Sequence, residues 1–160
     1  MSNNDFSDIL AKIPYGVSVV TMGRGGAKVE NGLTISWMSQ VSFNPPMLMV
    51  AVDKLHYSLD LLRSTKNFCV NLLGEDQAAL AGRFAKQAFT GEDKLAKVAQ
   101  RPADSGAAIL TDAVAYFDCE VTSVVETGDH MLVIGRIEDA AVLRDGAPMT
   151  SASGLRYRKH

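Results

Sequence analysis

The sequence predicts a mainly β fold with short helices (α+β), closed into an antiparallel barrel. Several short segments alternate apolar and polar residues with the two-residue period of a strand, and many of them are rich in β-branched side chains. Two or three other short segments have the three- to four-residue spacing of a helix. Six or more strands with so few helices fit a closed antiparallel sheet.

The first predicted elements are a short helix and a strand. Residues 5–12 are amphipathic, and Pro14 ends this helix because proline disfavours helical geometry in the residue before it. Residues 17–22 are β-branched and alternating, which indicates a strand. The glycines in residues 23–26 then predict a turn, and their spacing does not match the fingerprint of dinucleotide-binding folds.

The next elements are predicted to be two strands and a helix. Residues 31–46 form a strand that ends at a Pro-Pro corner, and the apolar run at 47–52 forms the second strand. Residues 53–58 lead into a helix, with Ser58 at or near its N-cap. A strand, a corner, a strand and a helix start can together hold an aromatic ligand that carries a phosphate.

The rest of the chain adds more strands and one more helix. In chain order we predict a strand at 67–73, a helix at 77–86, a partly helical segment followed by loop at 88–106, two long strands between 113 and 143, and a final strand at 155–158. Leu80 and Phe84 are one helical turn apart, and a hairpin near residues 127–129 joins the long strands.

The length and composition indicate one compact domain over residues 1–160, since 160 residues with 47% apolar content can bury a sizeable core. The formal charge of −2, with scattered lysines and arginines, argues against nucleic acid and anionic membranes as partners. No apolar stretch of about 18 residues and no export signal occurs, so we expect no membrane span and a cytoplasmic location. No spacing of histidine, cysteine and carboxylate indicates a metal site.

Small hydroxyls and an indole occur on the strand predicted at 31–46. On a two-residue period Thr34 and Ser36 share one face, with Trp37 on the other. Two hydroxyls on one face can hydrogen-bond a flat polar ligand, and Ser42 continues that face. The alternatives for Trp37 are ligand contact, core packing and contact with a partner subunit.

The helix start at Ser58 is a candidate phosphate site. A helix N-terminus offers unpaired N–H groups and the positive end of the macrodipole, and a serine hydroxyl can add a hydrogen bond. Lys54 can add positive charge. The alternative is an ordinary N-cap serine beside a solvated lysine.

His130 follows Gly128 and Asp129 at the predicted hairpin, where its neutral imidazole can donate or accept a hydrogen bond and can meet a nicotinamide or a flavin edge, with Asp129 orienting it. The alternative is a surface turn histidine beside a turn aspartate. No Gly-x-Ser-x-Gly elbow occurs, so the sequence gives no support for acyl transfer.

Residues 34–37 followed by Asn44-Pro45-Pro46 resemble the signature of the flavin reductase-like family of FMN-binding split-barrel proteins. Residues 13–17, 67–72 and 128–135 extend the resemblance over nearly the whole chain. The resemblance implies an FMN-binding split β-barrel of antiparallel Greek-key type, with NADH or NADPH as the reductant. It also implies a homodimer and an oxygenase or redox protein as a further partner.

The resemblance places a set of residues at the flavin, with His130 near the reacting atoms. The implied cofactor-binding residues are Thr34, Ile35, Ser36, Trp37, Ser42, Asp53, Lys54, Tyr57 and Ser58. We therefore expect an NAD(P)H-dependent flavin reductase. The alternatives are a flavoredoxin-like electron-transfer protein that keeps FMN bound, and a flavin- or haem-binding module without turnover.

Overall fold

One antiparallel sheet of seven strands dominates a computed structural model of the protein, which describes residues 6–23, 32–86 and 94–152. The elements in these ranges are α1 (Ser7–Leu10), β1 (Ser18–Met22), β2 (Gly32–Ile35), β3 (Met38–Phe43), β4 (Pro46–Asp53), α2 (Ser58–Thr65), β5 (Asn67–Leu72), α3 (Ala78–Ala85), β6 (Gln100–Pro102), β7 (Ala108–Leu110), β8 (Ala115–Glu126) and β9 (His130–Val142). The sheet order is β2-β1-β5-β8-β9-β4-β3, and β6 pairs with β7 in a separate hairpin. The predicted mainly β, antiparallel fold is confirmed.

The two edge strands of the sheet are consecutive in the chain, because only Ser36 and Trp37 separate β2 from β3. Seven strands laid flat would place their edges about 29 Å apart. A link of two residues spans at most about 11 Å. The sheet must therefore curl until its edges approach each other, and the continuous strand predicted at 31–46 is corrected to two strands. The chain changes partners at this point, since β2 pairs with β1 whereas β3 pairs with β4.

The inner face of the curled sheet carries the larger core cluster. Side chains of alternate strand residues meet there, and Leu59 and Leu62 of α2 join them. The buried members are Val20, Met22, Leu33, Ile35, Leu48, Val50, Val52, Leu59, Leu62, Phe68, Val70, Cys119, Met131 and Val133. Helix α2 therefore packs on the inside of the sheet.

The outer face of β1, β2 and β5 is covered by α3 and the β6-β7 hairpin. Phe84 of α3 is buried there with Val19 of β1. A Cβ at Gly32 of β2 would lie 2.9 Å from the Phe84 ring, so the missing side chain permits this close approach. A second core cluster thus lies between α3 and the sheet.

Buried polar side chains fasten the β6-β7 hairpin to the sheet. Leu110 N–H donates to Asn71 Oδ1 (2.8 Å), and Asn71 Nδ2 donates to Ala108 O (3.3 Å). Thr21 Oγ1 also donates to Ala108 O, at 2.6 Å. These side chains satisfy backbone groups of β7 that β6 leaves unpaired. The segment predicted to end in loop at residue 106 contains β6, which corrects that expectation.

The other predicted elements agree closely with the structure. The confirmed elements are the strands predicted at 17–22, 47–52 and 67–73, the helix at 77–86, and the long hairpin between 113 and 143. The first helix is shorter than predicted. Most of the glycine turn at 23–26 and the strand predicted at 155–158 lie outside the described residues. None of the helices described is long and apolar enough to cross a bilayer.

Candidate functional site

Three segments that are distant in the sequence meet where β4 ends and β9 begins. Asp53 is the cross-strand partner of His130, and Lys54 N–H donates to Asp129 O at 3.0 Å. The indole of Trp37 lies beside the imidazole of His130, with ring centroids 4.7 Å apart and planes tilted by 40°. The structure thus brings together four of the residues that the sequence analysis selected.

Asp129 orients the imidazole of His130. The Nδ1 atom of His130 lies 2.6 Å from Asp129 Oδ1. An ionised carboxylate only accepts hydrogen bonds, so Nδ1–H is the donor. The other ring nitrogen, Nε2, then offers a lone pair when the ring is neutral and a proton when it is charged. Asp129 therefore fixes both the tautomer and the direction of the free ring nitrogen.

An apolar groove of about 340 Å³ lies beside Trp37. It is lined by Leu10, Ile13, Pro14, Tyr15, Ser36, Trp37, Met38 and Met49. Small-molecule sites are typically concave and mainly apolar, with a few polar groups that fix orientation. Ser36 supplies a hydroxyl here. The contribution of α1 and the residues after it could not be predicted from the sequence, because their pattern is that of an ordinary amphipathic segment.

Thr34 and Ile35 point to opposite faces of β2. Thr34 Oγ1 donates to Ala81 O of α3 at 2.6 Å, on the covered outer face. Ile35 is buried in the inner core. Strand β2 ends at Ile35, so Ser36 lies in the link to β3, and its position on the same face as Thr34 stays a prediction. Trp37 does not continue the face of Ile35, since it lies between two strands and is 43% exposed.

Ser42 lies toward the far end of β3. It is four positions from Met38, which corresponds to about 13 Å along a strand. The pairing of β3 with β4 also shifts register between Gln40 and Ser42. The structure therefore does not bring Ser42 to the Trp37 and His130 rings, and the predicted continuation of the hydroxyl face is interrupted.

Ser58 is the first residue of α2, one position after the N-cap residue Tyr57. The helix start is therefore predicted to within one residue. The Ser58 side chain is fully buried, and its backbone N–H donates to His56 Nδ1 at 3.2 Å. Tyr57 is partly exposed and stacks on His56, with ring centroids 5.2 Å apart. Sequence analysis missed the position of His56 at this helix start.

Lys94 is a second residue that the sequence analysis missed. Its ammonium group is buried and donates to Phe84 O at 3.3 Å and to Lys86 O, at the C-terminal end of α3. A cation is favoured there by the negative end of the helix dipole. Burial of His56, and then the positive charge of Lys94, lower the pKa of the His56 imidazole. A neutral His56 can accept the hydrogen bond from α2.

The sequence matches a family model described as a flavin reductase like domain over residues 10–158. The chain belongs to the flavin reductase-like family. A flavin reductase of Pseudomonas putida is 34% identical over 137 residues, which are 86% of this chain and 78% of that protein. The family assignment made from the sequence is confirmed.

Solved structures of flavin reductases have the same fold as this family member. The NADH:FAD oxidoreductase SgcE6 of Streptomyces globisporus C-1027 has a TM-score of 0.84 and 28% identity, over 95% of this chain and 89% of that one. The styrene monooxygenase flavin reductase of Pseudomonas putida S12 has a TM-score of 0.80 and 27% identity, over 94% of each chain.

Other relatives are much longer than this flavin reductase-like chain. Diflavin flavoprotein A 1 of Synechocystis is 34% identical over 143 residues, which are 89% of this chain and 25% of that protein. The chain therefore spans about a quarter of the length of that relative.

The residues at this end of the sheet fit a flavin. The groove has room for a flat ring system, and Trp37, which lines it and lies against the His130 ring, supplies an aromatic surface. Ser36 offers a hydroxyl to polar ring atoms. Lys54, whose backbone N–H donates to Asp129 O, adds a positive charge at the same end of the sheet, and a cation of this kind attracts an anionic tail. This combination of aromatic, hydroxyl and cationic groups matches the chemistry of a flavin nucleotide.

Proposed function

We propose that this protein is an NAD(P)H-dependent flavin reductase of the cytoplasm that binds FMN. The observation that carries the proposal is the pair formed by Trp37 and His130 at the edge of an apolar groove. A bound flavin accepts a hydride from a reduced nicotinamide and passes electrons onward. The proposal includes one domain over residues 1–160, with the curled sheet as a split barrel of Greek-key type.

The protein's own residues have the tasks of binding, orienting and excluding water. Ser36 hydrogen-bonds the polar edge of the ring, and Trp37 contacts its face. His130, held by Asp129, faces the reacting atoms through Nε2 and is the proposed catalytic residue. Asp53 fixes the position of His130 across the sheet.

The phosphate end of the ligand is assigned to Lys54, Tyr57 and Ser58. Lys54 supplies charge, and the N-terminus of α2 supplies a favourable dipole. The hydroxyl of Ser58 is buried, so contact with a phosphate requires the residues around it to move. Its role in phosphate binding stays a prediction.

Thr34, Ile35 and Ser42 also stay predictions as flavin contacts. The Thr34 hydroxyl already donates to Ala81 O, so toward a ligand it has only its acceptor lone pairs left. Ile35 is buried, which leaves its backbone as the group able to contact a ligand. Ser42 would require a ligand that extends along β3.

Turnover is the direct test of the proposal. Protein loaded with FMN or FAD is mixed with NADH or NADPH, and nucleotide oxidation is followed at the nicotinamide absorbance band. We expect oxidation with at least one nucleotide and a lower rate for His130→Ala. Absence of turnover with all four combinations would reject the reductase.

The second candidate is an electron-transfer domain that keeps FMN bound. It is favoured by the diflavin flavoprotein relative, in which a region like this chain is a quarter of a larger protein. Retention of FMN through gel filtration, slow nucleotide oxidation and rapid reduction by a redox protein would select it. Under the first candidate an oxygenase or another redox protein receives the electrons.

We also propose that a second copy of the chain covers the outer face of β4 and β9. Met47 and Met49 share this face with Leu132 and Ile134, and all four are only partly buried. Half-exposed apolar side chains on neighbouring strands favour burial against another surface. Ile134→Glu should convert a dimer to a monomer in sedimentation velocity, whereas a wild-type monomer that binds flavin fully would reject the homodimer.

A further inference from the structure

A separate small pocket of about 260 Å³ lies between the end of β4, helix α2 and the β8-β9 hairpin. It is lined by Lys54, Leu59, Arg63, Glu126 and Met131. Leu59 and Met131 also belong to the inner core, so they give the pocket an apolar wall. The other three lining residues are charged, which distinguishes this pocket from the apolar groove beside Trp37.

Two cations share one carboxylate in this pocket. Lys54 Nζ donates to Glu126 Oε1 at 2.5 Å and to Thr127 O at 3.2 Å. The hydrogen bond from Lys54, followed by the positive charges of Lys54 and Arg63, lowers the pKa of the Glu126 carboxyl. Among the residues that the structure describes, none makes an ion pair with Arg63. Two positive charges against one negative charge leave the pocket with a net charge of about +1.

The pocket adjoins the proposed flavin site. Lys54 belongs to both places, because its backbone N–H binds Asp129 O while its ammonium group lines the pocket. Arg63 lies on α2, one helical turn beyond Leu59. The pocket and the proposed flavin site therefore meet at Lys54.

We propose that this pocket binds a phosphate group of a nucleotide ligand, with Arg63 as the main contact and Glu126 as a competitor for Lys54. The planar guanidinium of an arginine matches two phosphate oxygens. The Glu126 side chain is 72% exposed, so it can turn into solvent when a phosphate replaces it on Lys54. The phosphate belongs either to the flavin or to the pyridine nucleotide, and the inference rests on the proposed function.

Charge-removing variants test the pocket without changing the core. Arg63→Gln and Glu126→Gln are compared with Lys97→Gln, which removes a positive charge that is also exposed but lies near α3. Dissociation constants are measured for riboflavin, FMN and FAD, and KM values for NADH and NADPH. Riboflavin is the internal control because it has no phosphate.

Arg63→Gln should weaken a phosphate-bearing ligand by about three- to tenfold, with less effect in high salt, because the site is exposed and screened. Glu126→Gln should tighten the same ligand, since it frees Lys54. If Arg63→Gln lowers the affinity for FMN and FAD only, the phosphate belongs to the flavin. If it raises only the KM for NADH or NADPH, the phosphate belongs to the pyridine nucleotide.

The pocket proposal is overturned if Arg63→Gln and Lys97→Gln give the same constants, or if riboflavin is weakened as much as FMN. Turnover of the wild-type protein is measured separately. If Arg63→Gln weakens only phosphate-bearing ligands but the wild-type protein shows no turnover, the pocket proposal stands and the reductase proposal is rejected. If the wild-type protein turns over normally and Arg63→Gln leaves all binding constants unchanged, the reductase proposal stands and the pocket proposal is rejected.

Discussion

The two halves of the outer sheet face differ in what covers them. Over β1, β2 and β5, helix α3 and the β6-β7 hairpin bury the side chains in two further core clusters. Over β4 and β9, Met49 and Ile134 are only partly buried, although they lie on the same outer face. Trp37 lies in the short link between the edge strands, where the two halves meet.

This difference decides which polar side chains can contact a ligand. On the covered half, the hydroxyls of Thr34 and Thr21 donate to backbone carbonyls within the protein. On the open half, Ser36 lines a groove, and Asp129 holds His130 by Nδ1 alone, which leaves Nε2 as its other ring nitrogen. Residue type alone therefore does not identify a ligand contact, because the hydroxyls on the covered half bond to the protein's own backbone, whereas the hydroxyl-bearing Ser36 lines a groove.

The largest expected effect is a difference between the two halves in how much a lost aromatic ring lowers the free energy of unfolding. Phe84→Ala removes a fully buried ring from the covered half, and should lower the free energy of unfolding by about 3–5 kcal/mol. Trp37→Ala removes a larger ring that is 43% exposed and should cost far less. Urea unfolding of the flavin-free proteins measures both changes, and equal losses would contradict the comparison.

The second prediction concerns flavin affinity. Trp37→Ala should weaken both FMN and riboflavin by about tenfold, since stacking on an aromatic side chain contributes about 1–3 kcal/mol. Fluorescence titration measures the two dissociation constants. Trp37→Phe is the matched control, because it keeps an aromatic face and should recover most of the affinity. Unchanged affinity in Trp37→Ala would place the ring system elsewhere.

The third prediction concerns Thr34→Val, which tests how much one hydrogen bond on the covered half contributes to stability. The substitution keeps the shape of the side chain but removes the donor to Ala81 O, so it should cost about 0.5–1.5 kcal/mol of unfolding free energy. If Thr34 serves only the packing of α3, the affinities for FMN and riboflavin stay unchanged. Equal losses for both ligands would instead support the predicted contact with the flavin ring.

Local patterns predict the strands and helices well because each pattern is contained in a short segment. The long β8-β9 hairpin and helix α3 both follow from residue spacing and turn residues. The break at Ser36 and Trp37 does not follow from local pattern, because it depends on β2 pairing with β1 while β3 pairs with β4. In the sequence the alternation continues through Ser42, whereas in the structure the chain changes its partner strand after Ile35.

The candidate site is predictable in part for the same reason. Trp37, Lys54 and His130 are found from residue type and the family signature, and the structure brings them together. Lys94 and the groove residues of the N-terminal segment depend on long-range packing. No local pattern in the sequence records that Lys94 lies against the end of α3 or that its charge acts on His56.

The smallest expected effect is a pH dependence at the start of α2. Burial and Lys94 lower the pKa of His56 below its ordinary value of 6.5, whereas the unfolded chain takes up the proton near that value. Between these two pKa values the unfolded state binds more protons, so the free energy of unfolding rises with pH in this window. His56→Asn removes the titration but keeps an acceptor for the Ser58 N–H. Urea unfolding from pH 7.5 downward should show an additional loss of stability in the wild-type protein, and parallel curves for the two proteins would show that His56 does not titrate in this way.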